Sequence, residues 1–143
     1  MNLICNLSFD RNGLRVLRFY YLDGYSTGMT FETDALNRVG RYSSNLTVLE
    51  ISMMFIKNRG YRLGDAARLS LVNLAIQIFG SNEKLQKLIM WQFTDQTEEG
   101  QRLIEALSTS PINKLTELDL RTNPAWFEDQ EYAMQLADFV SRQ

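Results

Sequence analysis

Few residues in this chain could do covalent chemistry, and they are not spaced for it. There is no histidine, which removes the commonest general base and metal ligand. The one cysteine, Cys5, lies among apolar neighbours with no C-x-x-C partner and reads as a small buried hydrophobe. Asp95, Glu98 and Glu99 make a carboxylate cluster. They fall where a helical pattern begins, so the helix dipole accounts for them, and no metal-ligand spacing accompanies them. The signatures G-x-x-x-x-G-K-S/T, G-x-G-x-x-G and G-x-S-x-G are all missing. No nucleophile can be paired with a base. The chain therefore reads as a non-enzyme with no catalytic, cofactor or metal site.

What remains is recognition chemistry. Tyr20, Trp91, Arg18 and Arg121 are of the types enriched at interface hot spots. They stand at matched spacing with Val16, Val48, Glu50, Lys87, Ile89 and Asp119. The elements that would hold them in place are repeated segments. LRVLRF occupies residues 14–19, LTVLEI 46–51, LQKLIM 85–90 and LTELDL 115–120, the starts being 32, 39 and 30 residues apart. An apolar pattern of helical spacing follows each. These patterns are Ala35, Leu36 and Val39; Leu71, Leu74, Ala75 and Ile78; Leu103, Ala106 and Leu107; and Ala133, Leu136, Ala137 and Val140. Each unit thus reads strand, loop, helix, return. A crossover of that length makes successive strands parallel, and stacking buries the face that one unit alone cannot bury.

The spacing resembles the leucine-rich repeat family, whose strand signature is L-x-x-L-x-L-x-x-N/C. Within it the chain is most similar to the ribonuclease-inhibitor-like class, which carries true α-helices. The third unit, LQKLIMWQFTDQTEEGQRLIEALSTSP, is the best match. Asn123 keeps the family asparagine, whereas Leu22, Met54 and Phe93 replace it in the other units. Extra residues lengthen the first two units near 23–32 and 56–64. The resemblance implies one α/β domain over 1–143, a solenoid with about four parallel strands on its concave side and α-helices on its convex side.

Strand alternation then sorts the side chains. The second and third leucines of each motif turn inward, and the residues between them face the concave side. Three rows result: Val16, Val48, Lys87, Glu117; then Arg18, Glu50, Ile89, Asp119; then Tyr20, Ser52, Trp91, Arg121. Arg18 with Glu50, Lys87 with Glu117, and Trp91 with Arg121 are complementary neighbours. A solvated face has no use for so much apolar area, so the rows are the candidate protein-binding face. Tyr21, Tyr25, Met53 and Phe55 near the strand ends could extend it. Met53 and Met54 are packing residues on this reading, and Trp126-Phe127 is a plug at the C-terminal end of the core.

At the other end, ICNLS at 4–8 resembles IEALS at 104–108. Residues 1–13 are therefore expected to be the end of a preceding unit's helix, leaving a bare first edge. Self-association through that uncapped edge, or its cover by a partner, follows as an expectation.

Composition narrows the partners. With 15 basic and 17 acidic residues the net charge is −2 and the pI about 5.2, no footprint for nucleic acid. Arg11, Arg15 and Arg18 are the nearest thing to a basic cluster. No apolar run reaches membrane-spanning length, and the start MNLICNLSFDRNG lacks a basic signal-peptide region. An intracellular, cytoplasmic setting is expected, where the sequons at Asn6 and Asn45 carry no meaning. The leading expectation is a non-catalytic interaction module, a subunit of a larger assembly or a piece of a longer repeat protein, bound to another protein. A GTPase regulator of the Ran GTPase-activating type is one alternative. A small α/β enzyme of flavodoxin-like topology is the other, although YYLDGYSTGMT lacks the phosphate-loop lysine.

Overall fold

The computed structural model describes residues 2–11, 13–22, 38–52, 65–91, 94, 96–121 and 124–143, with the backbone alone at 2–7, 20–22, 67 and 124. Among the described residues, five strands form one sheet: β1 (Asn2–Asp10), β2 (Gly13–Leu22), β3 (Val48–Ser52), β4 (Lys87–Trp91) and β5 (Glu117–Arg121). The helices are α1 (Asp65–Ser81), α2 (Thr97–Ser108) and α3 (Gln130–Ser141). Residues 38–41 are also helical and lead into a 3-10 turn at Ser43–Asn45. The strand order follows the chain, β1-β2-β3-β4-β5, with β2 to β5 parallel and β1 antiparallel to β2. The architecture is mixed α/β with a mostly parallel sheet.

The leucine spacing is what stacks the strands in phase. Leu17, Leu49 and Leu88 lie in one row and Phe19, Ile51 and Met90 in another, each at most 1% exposed. They share a core with Leu71, Leu74, Ala75 and Ile78 of α1 and Leu103 and Leu107 of α2. All helices therefore cover one face of the sheet. The units also join just upstream of the strands. Thr47 N donates to Arg15 O at 2.8 Å, Gln86 N to Thr47 O at 2.9 Å and Thr116 N to Gln86 O at 2.8 Å. These are the second residues of the four motifs, so the ladder extends one residue beyond regular strand pairing.

Two polar devices and one close packing contact fix the helices. Asn82, fully buried at the end of α1, donates from its side chain to the carbonyls of Ser43 (2.7 Å) and Leu46 (2.9 Å). Its Oδ1 accepts from the amides of Lys84 (2.8 Å) and Leu85 (2.7 Å), so every hydrogen-bonding site of the amide is used. Asp129 caps α3 by accepting from Glu131 N at 3.0 Å. Gly100 in α2 sits against the indole of Trp126, where any Cβ would enter the ring. Trp126 is 1% exposed and does plug the core, with Phe127 packed beside it.

Two expectations are corrected. Residues 4–8 are not the end of a helix: they belong to β1, which forms a hairpin with β2 and pairs along the edge that had been expected to be bare. The turn depends on Gly13, whose φ of +109° lies in the region that favours glycine. The stripe on the last helix is also displaced. Phe139 is buried and Leu136 is half-buried, but Ala133, Ala137 and Val140 are exposed. They lie on the flank of α3 turned away from α2, where no described element covers them. Ala35, Leu36, Tyr25, Met53, Met54 and Phe55 lie outside the described residues, as does Asn123.

Candidate protein-binding face

The face of the sheet opposite the helices carries the three rows in the expected order. Val16 aligns with Val48, Lys87 and Glu117; Arg18 with Glu50, Ile89 and Asp119; Tyr20 with Ser52, Trp91 and Arg121. Parallel pairing makes each residue the lateral neighbour of the next, so residues up to 105 apart in sequence share one surface.

The expected complementary pairs all form. Arg18 Nε lies 3.2 Å from Glu50 Oε2, and Ser52 Oγ donates to Glu50 Oε1 at 3.1 Å. Lys87 Nζ lies 2.8 Å from Glu117 Oε1. The Arg121 guanidinium carbon stands 4.1 Å from the centroid of the Trp91 ring, while Nη2 contacts Asp119 Oδ2 at 3.4 Å. Arg18, Lys87 and Arg121 are thus each matched to a carboxylate on this face. Among the described residues of this face, three cationic and three anionic side chains balance. Val16 and Val48 are half-buried, and Ile89 is 7% exposed. Trp91 is half-buried, and its Nε1 is buried without a hydrogen-bond partner. The face carries half-buried Val16, Val48 and Trp91 around the buried Ile89, interleaved with ion pairs. Such a surface suits shape-matched contact with a protein better than binding of a small charged ligand.

The basic cluster expected at Arg11, Arg15 and Arg18 is neutralised in part. Arg15 Nε lies 2.6 Å from Asp10 Oδ2, and Arg18 is held by Glu50.

Compared with known proteins, the chain matches no family model, no curated protein and no solved structure. Its reading rests on its own residues.

The acidic group at the start of α2 does more than the helix dipole requires. Glu98 is exposed, and Asp95 is outside the described residues, but Glu99 is buried. Its Oε2 accepts from Thr94 Oγ1 at 2.5 Å and from Arg68 Nε at 2.8 Å, while Oε1 accepts from Arg68 Nη2 at 3.1 Å. Arg68 also reaches Asp65 at 2.5 Å. The hydrogen bonds that Arg68 donates to Glu99, above all, raise the Arg68 pKa beyond its already high ordinary value. The Arg68–Glu99 pair ties α1 to the entrance of α2, while the Asp65 carboxylate stays 88% exposed. Spacing alone did not reveal it, because Arg68 and Glu99 stand 31 residues apart. Among the described residues, no group of three or more His, Cys, Asp or Glu side chains could hold a metal ion. Nor is any helix among them long and apolar enough to cross a membrane.

Proposed function

We propose that the chain is a leucine-rich-repeat module of the ribonuclease-inhibitor-like class that binds another protein through the sheet face opposite its helices. One observation carries this reading: the face opposite the helices aligns Val16 and Val48 with each other and sets Ile89 and Trp91 on the adjoining strand. Four sequence units in phase, joined by an equivalent main-chain ladder, support the repeat assignment. The role is non-catalytic and structural, as a subunit of a larger assembly or a section of a longer repeat protein. Ion pairs flanking the apolar centre set the register of the partner and reject poorly matched surfaces more than they add affinity.

The test is capture from native lysate with the wild-type chain beside Val48→Glu, Trp91→Glu and, on the helix side, Glu105→Arg. Circular dichroism verifies that each variant is folded. A partner retained by wild type and Glu105→Arg but lost by both face variants meets the expectation. A partner retained by the folded face variants overturns it.

A further inference from the structure

We propose that a second copy of this chain docks on the β5 edge, joining the two sheets through antiparallel β5–β5 pairing about a two-fold axis. Two independent observations lead there. The first is incomplete burial at this end. Leu118 and Leu120 occupy the same rows as Leu17, Leu49 and Leu88 and as Phe19, Ile51 and Met90, yet they alone are half-exposed. Beside them α3 turns Phe139 inward and contacts α2 through Gln135, which accepts from Ser108 Oγ at 3.3 Å. Its other flank leaves Ala133, Ala137 and Val140 exposed, Val140 by 49%. Among the described residues no strand pairs with the outer side of β5.

The second observation selects the occupant. The strand reads Glu117-Leu118-Asp119-Leu120-Arg121, which is complementary to itself when reversed. Antiparallel pairing centred on Asp119 sets Glu117 against Arg121 of the other copy, twice over, on the open face. On the helix face the same register sets Leu118 against Leu120, again twice. A slip of one residue would turn leucines toward the charged face, and a slip of two in one direction would set Glu117 against Asp119. The opposite slip keeps Asp119 against Arg121 but leaves Glu117 and Leu118 unmatched within the strand, so the register centred on Asp119 is the most complementary. The two central Asp119 side chains approach each other, but each already has its own Arg121 at 3.4 Å. Cross-strand neighbours share a face, so both copies keep their helices on the same side and the exposed flanks of α3 come together. The contact is isologous and closes at two copies. Neither VLEIS of β3 nor KLIMW of β4 has this reversed complementarity.

Light scattering and sedimentation of the purified chain, at micromolar concentration and low salt, give the test. Wild type is expected at twice the 16.6 kDa chain mass. Arg121→Glu and Glu117→Arg each place like charges at both pair sites, and each is expected to weaken self-association by roughly tenfold or more. An equimolar mixture of the two variants restores opposite charges at both sites and is expected to form a heterodimer. The mixture also separates lost docking from lost folding, because misfolded chains would not regain it. A monomeric wild type overturns the proposal, as does a dimer insensitive to both reversals or a mixture that stays monomeric.

Discussion

Arg68→Met tests whether the buried ion pair between α1 and α2 is a structural tie. Arg68 and Glu99 side chains are 12% and 10% exposed, so little solvent screens them. Removing the guanidinium leaves Glu99 buried with Thr94 as its one remaining donor in the group. Breaking a buried pair from one side costs about 3–5 kcal/mol. The Asp65 arm adds little, because that carboxylate is 88% exposed and exposed pairs contribute ~0–1 kcal/mol. The lower end, about 3 kcal/mol, is therefore expected. For a chain of 143 residues this lowers Tm by roughly 6–12 °C at about 2–4 °C per kcal/mol. Arg68→Met combined with Glu99→Met removes both charges, and Thr94 still accepts from the Gln96 amide at 3.1 Å. The double variant should then recover most of the loss, as buried pairs replaced by apolar groups often do. Thermal melts followed by circular dichroism give the comparison. If the double variant melts as low as the sum of the two single losses requires, the two residues are not coupled and the reasoning fails.

Three further outcomes are expected. Gly100→Ala should destabilise the chain by a net ~1–2 kcal/mol, because displacing the Trp126 indole outweighs a helix-propensity gain of about 1 kcal/mol; denaturant melts and a shift in tryptophan emission would show it. Asn82→Ala should cost about 2–4 kcal/mol by chemical denaturation, since it removes four side-chain hydrogen bonds at the junction of two units, although the Ser43 carbonyl keeps the Leu46 amide at 2.9 Å. Trp91→Ala should cost only about 1–2 kcal/mol in the same assay, as it removes a half-buried ring and one cation–π contact, while abolishing capture of the partner.

The rows on the open face were legible in the sequence because L-x-x-L-x-L fixes phase. Once leucines are assigned to one side of a strand, the intervening residues must share the other, and equal motif positions must align. Lys87 with Glu117 follows from that rule without any distance being known. The hairpin of β1 was equally written in the chain, in Asn12-Gly13, a strong short-range hairpin signal. Likeness of ICNLS to a helical segment outweighed that signal, although a five-residue match says little about periodicity. The exposed flank of α3 could not be read from spacing, because Ala133, Ala137 and Val140 make a sound helical stripe whichever side is covered. Their exposure depends on whether a neighbour follows, a property of the assembly of units and not of the helix. Glu99 was hidden for a related reason: its partner lies on another helix, and contacts between crossovers leave no local pattern.

The most direct measurement places a photo-crosslinking residue at Lys87 on the open face and, in a parallel chain, at Glu105 on α2. Both positions are joined to whatever the protein holds in native extract, and the adducts are identified by mass spectrometry. Binding through the open face predicts a defined protein adduct from position 87 and none from position 105. An adduct from position 105 alone, or from neither, would contradict it.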